Sequence, residues 1–324
     1  MRAVTVDRWL EASELAVSDV PEPEVRPGTV SIEVRAAGCN FFDILMIQGK
    51  YQVKPPFPFI PGAEIGGIVR AVGEGVEGFA VGDRVFASNG LGGFAEVALS
   101  PASSTYPLPD GMSYAEGAAF PIVYPTSYAG LVDRGNLQPG EDLLVHAAAG
   151  GVGLAAVQIG KALGARVIAT AGGAEKLEIA RRNGADELID YNAEDFAERV
   201  KELTDGKGAD VIYDSVGGDV FDRSLKCIAW NGRLVVIGFA SGRIPEVKAN
   251  RILLKNIAVT GLHWGAHAVN DPVRMTEVFD ALFALYAEGK IKPEIYKTFG
   301  LDEVSVALDA LASRKTYGKL IVAP

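Results

Sequence analysis

The sequence predicts a two-part α/β protein: a β-rich segment followed by a doubly wound parallel sheet. Three observations predict it. Up to about residue 105, short apolar runs are separated by Gly and Pro. From 141 to 262, wholly apolar strands alternate with helical stretches. After 263 the pattern is short and mixed and closes on one more apolar strand, so the tail is expected to rejoin the first part. The expected domains are 1–124 rejoined by 263–324, and 125–262.

In chain order, TVSIEVRAAG (29–38) shows β-branched alternation bounded by Pro27-Gly28 and Gly38. GAEIGGIVRAVGEGV (62–76), VGDRVFA (81–87) and GGFAEVALS (92–100) read as further strands, which together suit a small barrel or sandwich. After Pro109-Asp110-Gly111, Ser113 and Glu116 have capping-box spacing and open a helix. A second helix is expected after Pro125-Thr126. Then come DLLVHAA, a helix from Gly153, RVIATA, a helix from Ala174, ELIDY, a helix over 193–203, DVIYDSV, a helix over 219–229, RLVVIGF and IAVTGL. Asp271-Pro272 starts an amphipathic helix with Val273, Val278, Phe279, Leu282 and Leu285 expected on its buried side. A helix from Asp302 toward Ala312 and the strand GKLIVAP (318–324) complete the chain.

The balance of 31 basic and 41 acidic residues leaves a net charge of −10, which disfavours a phosphate-backbone partner. No apolar run reaches the ~20 residues of a membrane span. The opening MRAVTVDRWLEASEL has an early acid and no apolar h-region, so no secretory signal is expected. Two cysteines, Cys39 and Cys227, form no CxxC and no disulfide framework, which suits a reducing cytoplasm. The expected partner is a small molecule, with neither nucleic acid nor membrane.

The strand LLVHA runs into AAGGVGLAA, where Gly151-x-Gly153-x-x-Ala156 matches a dinucleotide-binding fingerprint. The first glycine permits a tight turn, the second lets backbone approach a pyrophosphate, and the small third residue lets the helix lie close to the sheet. The helix N-terminus adds unpaired N–H groups and a positive dipole end. Any tight strand-to-helix turn favours glycine; the strand before and the helix after give the match its weight. NAD-binding versions carry an Asp or Glu about 20 residues further on. That count from Gly151 lands on Ala171, and none of Thr170, Ala171, Gly172, Gly173 and Ala174 is acidic. An acid there repels a 2′-phosphate, whereas small residues leave room for one. Lys176 is placed to meet that phosphate as a point charge, or is a solvated surface lysine, and Tyr191 offers a hydroxyl. Glu175, the nearest acid, suits a helix N-terminus. Together these features favour NADPH over NADH.

With this loop and the two-part layout in view, the sequence resembles the zinc-free quinone oxidoreductases of the medium-chain dehydrogenase/reductase superfamily, the ζ-crystallin-like group. The markers are AAGCNFFDILMIQGKY (36–51), PFIPGAEIGGIV (58–69), GDRV (82–85), VHAAAGGVGLAAVQIGKALGA (145–165), YDSVGG (213–218) and YGKLIV (317–322), spread over essentially the whole chain. The resemblance implies a discontinuous GroES-like catalytic domain joined to a Rossmann domain, an active site in the cleft, NADPH as cofactor, and a homodimer or homotetramer. It implies cofactor-site roles for Asn40, Thr126, Ala149, Gly150, Gly151, Val152, Gly153, Gly172, Gly173, Lys176, Tyr191, Ser215, Val216, Gly238, Phe239, Ala240 and Arg314. Asn40, Tyr51 and Asp43 are the candidates nearest the chemistry, Asp43 also being a candidate for a structural hydrogen bond. Two departures stand out: Gly-Gly at 172–173 where relatives often carry a hydroxyl residue, and Phe239 where some carry a polar one. IAVTGL, as an edge strand, can pair across a two-fold axis.

Zinc alcohol dehydrogenases of the same superfamily carry a Cys in the segment matching 38–43 and a His-Glu pair matching 63–64. Here Asn40 and Ala63 stand at the Cys and His positions, Cys39 is one residue off, and two cysteines cannot build the four-cysteine structural lobe. His263 and His267 lack a helix signal or an intervening Glu, and His146 ends a core strand; all three read as structural or surface residues. No metal is expected. Without zinc to polarise a carbonyl, the acceptor must take hydride readily. Quinones do so because the product gains aromaticity, and conjugated enones because charge spreads into an enolate. The expected activity is hydride transfer from NADPH to a quinone. The alternatives are an enoyl or alkenal reductase and a non-catalytic, crystallin-like NADPH-binding protein. Phe41, Phe42, Phe57 and Phe59 are expected mainly in the core, with one or two available to stack on a flat acceptor.

Overall fold

The β-branched run at 29–38 forms the strand around which the first unit is built. The structure, a computed structural model, describes residues 1–324. Met1–Ile122 and Pro293–Pro324 make one compact unit and Val123–Lys292 another. In the first, β1 (Arg2–Val4) pairs antiparallel with β2 (Val17–Asp19). β3 (Thr29–Gly38) leads into α1 (Phe41–Ile47), then β4 (Ile65–Val72), β5 (Arg84–Ala87), β6 (Val97–Pro101) and β7 (Thr105–Pro107). On one side of β3 the sheet continues antiparallel through β4, β5 and β7. On the other, β3 changes partner along its length: Thr29 to Glu33 pair with β6, and Ala37 and Gly38 pair with a strand from the tail. Register shifts in the β3–β4 ladder at Ser31/Ile32 and Val34/Ala36 bend the strand so that it can serve both. α2 (Tyr114–Ala118) opens on the expected capping box: Glu116 N–H donates to Ser113 Oγ at 3.2 Å, and Ser113 N–H to Glu116 Oε2 at 2.7 Å.

The second unit begins with α3 (Val123–Ala129), which takes in Pro125 and Thr126 rather than following them as expected. Pro125 sits inside the first turn, where its missing N–H is not needed. The alternating segment follows as β8 (Asp142–Val145), α4 (Gly151–Ala162), β9 (Arg166–Ala171), α5 (Ala174–Arg182), β10 (Glu187–Asp190), α6 (Phe196–Leu203), β11 (Ala209–Asp214), α7 (Gly218–Cys227), β12 (Ile228–Val236), α8 (Ala249–Lys255) and β13 (Ala258–Gly261). The strands form one six-stranded sheet in the order β10-β9-β8-β11-β12-β13, and every pairing is parallel. Residues 143–145, 167–169 and 211–213 are fully buried, as strands covered on both faces must be. The short α8 has no strong sequence signal and was not expected; it buries none of its residues.

α9 (His267–Asn270) and α10 (Pro272–Ala287) close this unit. Asp271 caps α10 by accepting from Arg274 N–H at 3.2 Å. Val278, Phe279 and Leu282 are buried as expected, but Val273 is 68% exposed. Five residues turn a helix by about 500°, so Val273 and Val278 cannot share a face. The apolar stripe of α10 packs against α3, which places 263–292 with the second unit and moves the chain's return to Pro293. There β14 (Ile295–Gly300) pairs parallel with β15 (Lys319–Ala323), with α11 (Val304–Ala312) between them in sequence. β15 is the tail strand that pairs with the end of β3.

His146 ties three elements of the second unit together. Ser224 Oγ donates its proton to Val220 O at 2.7 Å, so the imidazole Nε2–H must donate to Ser224 Oγ at 2.8 Å. Nδ1 then accepts from Thr170 Oγ1 at 3.0 Å. Burial, reinforced by the Arg223 charge, pushes His146 down to about 3. The unfolded chain therefore binds a proton that the folded chain refuses between about pH 6.5 and 3. Stability from this group is complete above that window and falls by ~1.4 kcal/mol per pH unit inside it. Thermal denaturation between pH 7 and pH 4 should show a steeper loss for the wild type than for His146→Gln, and parallel curves would contradict the assignment.

Candidate active site

Parallel strands bring their C-terminal ends to a single edge of the second unit's sheet, and the sequence order reverses between β8 and β11. Ligands of open α/β sheets bind at such an edge. The loop from β8 to α4 turns sharply there. Ala147 adopts φ 48°, a left-handed conformation costing a non-glycine residue roughly 1 kcal/mol, and Gly150 N–H closes onto Ala147 O at 2.9 Å. A Cβ on Gly153 would lie 2.2 Å from Ala147 O, so the turn itself demands glycine there, independently of any pyrophosphate. α4 starts at Gly151, two residues earlier than expected, and its N-cap Gly150 has no side chain to answer the first-turn N–H groups. Ala149 is buried, and Val152 O accepts from Ser127 Oγ at 2.9 Å, which fixes α3, and Thr126 on it, against the loop. Tyr213 OH completes the chain by donating to Ser127 Oγ at 2.9 Å.

At the end of β9 come Gly172 and Gly173; Gly173, at φ 88°, has nothing within 4 Å of where a Cβ would stand. A Cβ on Gly172 would lie 2.8 Å from Tyr191 Oη and 2.9 Å from Asn192 Nδ2. The glycine thus makes room for two converging donors. Asn192 was missed by sequence reading, because an Asn after a strand is an ordinary turn residue. Lys176 lies half-buried in the first turn of α5, and that burial lowers its pKa against the opposing charge of Glu175. Asp190, which ends β10, accepts Asn192 N–H at 3.0 Å.

A third group forms where β11 and β12 end. Ala240 N–H donates to Ser215 O at 3.1 Å and Ser241 N–H to Val216 O at 2.9 Å, joining the two loops. Asp214 Oδ1 accepts Val216 and Gly217 N–H at 2.8 and 2.9 Å. A Cβ on Gly217 would touch the Phe239 ring at 2.9 Å, and Phe239, after Gly238, stays 37% exposed.

The remaining candidates belong to the first unit. Asn40 heads α1, yet its side chain makes no cap bond to the helix. Its amide Nδ2–H donates to Glu64 Oε1 at 2.8 Å, and its Oδ1 accepts from Lys319 Nζ at 2.8 Å. Lys319 Nζ also donates to Cys39 O at 2.9 Å and to Glu64 Oε1. Asn40, Glu64 and Lys319 are all buried. Neither Glu64 nor Lys319 was singled out from sequence, although a lysine inside the apolar strand KLIVA was a usable signal. Asp43 caps α1 by accepting Asn40 N–H at 2.7 Å. Burial pushes its carboxyl up to about 7, against the opposing Asn40 N–H and Lys319 charge. Tyr51 packs half-buried against the Phe42 ring, centroids 5.5 Å apart. Phe59 is buried, Phe41 and Phe42 are partly so, and Phe57 is 42% exposed against Trp9. Arg314 is exposed at the end of α11 with φ 56°.

A zinc site does not fit here. Asn40 and Ala63 stand where a thiolate and an imidazole are required, and the Asn40 amide and Glu64 are held by the ammonium of Lys319. No three His, Cys, Asp or Glu side chains converge elsewhere. His267 instead stacks on Trp264 and bonds its carbonyl at 3.1 Å.

Two family models match: the alcohol dehydrogenase GroES-like domain over residues 26–110, and the zinc-binding dehydrogenase domain over 151–285. The chain is 46% identical over 296 residues to the quinone oxidoreductase-like protein 2 homolog of Nematostella vectensis, covering 90% of this chain and 81% of that protein. It is 40% identical over 312 residues to a quinone oxidoreductase of Pseudomonas aeruginosa, covering 96% and 95%. The crystal structure of Escherichia coli quinone oxidoreductase complexed with NADPH superposes with a TM-score of 0.93 at 34% identity, covering 100% of both chains. GroES-like and Rossmann units, with Asn40 in place of the metal-binding thiolate, define a zinc-free medium-chain reductase. Within that superfamily, this chain belongs to the quinone oxidoreductase family.

The raised pKa of Asp43 has a sign. The folded chain holds this proton more tightly than the unfolded one, so the stability it contributes is complete below about pH 4 and is lost as pH rises to about 7. Asp43→Asn should therefore gain Tm relative to wild type as pH rises across that window. A difference in Tm independent of pH would contradict the burial of this carboxyl.

Proposed function

We propose that this chain is an NADPH-dependent oxidoreductase that delivers hydride to a quinone without a metal. The observation that carries the proposal is Asn40: the position is filled by an amide already bonded to Lys319 and Glu64, so acceptor activation falls to the acceptor. A quinone supplies it by gaining aromaticity. The coenzyme residues fit NADPH. The first turn of α4 offers backbone N–H groups to a pyrophosphate beside Ala149, Gly150, Gly151, Val152 and Gly153. Open space beside Gly173 leaves room for a 2′-phosphate next to Gly172, with Tyr191 as hydroxyl donor and Lys176 as point charge. Thr126, Ser215, Val216, Gly238, Phe239, Ala240 and Arg314 complete the proposed coenzyme set. NADPH, when bound, supplies the hydride. The protein contributes alignment and exclusion of water: Asn40 donates its amide to an acceptor oxygen or a ribose hydroxyl, Tyr51 donates a phenolic hydrogen bond, and Asp43 supports the strand-to-helix turn that carries Asn40.

The same reading places the protein in the cytoplasm, where its two buried, unpaired cysteines stay reduced. It also makes the protein a homodimer or homotetramer that pairs through β13, the open edge of the parallel sheet, preceded in the chain by α8 with its exposed Leu253 and Leu254. No helix is long and apolar enough to cross a membrane. Sedimentation should give a dimer or its doubled form; a monomer would contradict the edge assignment.

Stopped-flow oxidation of NADPH and NADH with 1,4-benzoquinone, 9,10-phenanthrenequinone and crotonyl-CoA tests the activity. Quinones should turn over fastest and NADPH should be preferred. Lys176→Ala should raise KM for NADPH by ~10-fold or more while leaving NADH nearly unchanged. Faster turnover of crotonyl-CoA would make the chain an enoyl reductase, and coenzyme binding without turnover would make it a binding protein.

A further inference from the structure

We infer that Lys319 and Glu64 are positioning residues that lock the Asn40 amide in one orientation, so that it presents a fixed donor and a fixed acceptor to the reactants. The inference rests on the reading above, in which Asn40 serves the reaction. An asparagine amide has two nearly isosteric orientations that exchange its NH2 and its oxygen. Here the neighbours choose between them. An ammonium only donates and a carboxylate only accepts. Lys319 Nζ meets Asn40 Oδ1 at 2.8 Å, and Glu64 Oε1 meets Asn40 Nδ2 at 2.8 Å. Turning the amide over would set NH2 against the ammonium and oxygen against the carboxylate.

The lock is saturated on its protein side. The three N–H bonds of Lys319 meet three acceptors, Cys39 O, Asn40 Oδ1 and Glu64 Oε1. Glu64 Oε2 is held by Ile122 N–H at 3.2 Å. What remains uncommitted on the Asn40 amide is one Nδ2–H and one lone pair of Oδ1, and the lock fixes where each points. All three side chains are buried, where the field between the charges is strong. The surroundings accommodate the pair: a Cβ on Gly38 would lie 2.5 Å from Glu64 Oε1 and 2.4 Å from Ala118 O. The amide makes no cap bond: Asp43 N–H donates to the Asn40 backbone carbonyl at 3.1 Å, and the Asp43 carboxylate accepts the Asn40 backbone N–H at 2.7 Å. A buried ion pair adds little stability over an apolar pair of the same shape, so a role in orienting Asn40 accounts for it better than stability does.

The test uses Lys319→Met/Glu64→Gln, which removes both charges together and leaves none buried alone, with Asn40→Ala in each background. The double variant should keep its Tm within ~5 °C of wild type. Its kcat/KM with a quinone should fall at least ~10-fold, and adding Asn40→Ala should lower it by less than ~3-fold more, because the amide has already lost its orientation. Full activity in the double variant, or an equal cost of Asn40→Ala in both backgrounds, would overturn the inference. If Asn40→Ala alone leaves turnover intact, the catalytic reading of Asn40 fails instead. Amide exchange in protein labelled with [15N]asparagine gives a readout independent of activity. One Asn40 Nδ2 proton should be protected in the wild type and unprotected in the double variant; two freely exchanging protons in the wild type would sink the lock.

Discussion

Parallel pairing governs the second unit. Strands that all run one way must each return by a crossover, so their C-terminal loops gather at one edge and their helices cover both faces. Residues scattered from Ala147 to Ala240 become neighbours for this reason alone. Each loop then needs small residues where backbone crosses backbone or ring. Gly153 lies under Ala147 O, Gly172 under Tyr191 and Asn192, and Gly217 against Phe239. Glycine here reflects crowding at the sheet edge as much as access for a ligand.

The polar groups buried in the two units follow one electrostatic rule with different outcomes. His146, with no acidic partner, is held neutral by burial and by the nearby Arg223 charge. Asp43, held by a backbone N–H, is pushed up toward neutrality. Glu64 has an ammonium at hand, and the two form a buried salt bridge. What distinguishes the Asn40 cluster is therefore a partner delivered from the far end of the chain.

That delivery links the tail to Asn40. β15 pairs with Ala37 and Gly38 at the end of β3, two residues before Asn40. Cys39 N–H donates to Leu320 O at 2.9 Å, so the register of a single strand pair sets where the Lys319 ammonium lies. Moving that register by one residue would turn Lys319 to the opposite face.

The alternation of apolar strands and helices, the fingerprint around Gly151 and the absence of an acid near Ala171 were legible in the sequence, because periodicity and short-range turn chemistry are local. Capping at Ser113, Asp195 and Asp271 belongs to the same class, although only Ser113 and Asp271 were read. The side of α10 to which Val273 belongs, the return of the chain at Pro293, the convergence of Asn192 on Gly172 and the Lys319–Glu64–Asn40 cluster were decided by tertiary structure. Each depends on groups far apart in sequence meeting at hydrogen-bond distance, and no local pattern encodes which distant atom completes a buried charge.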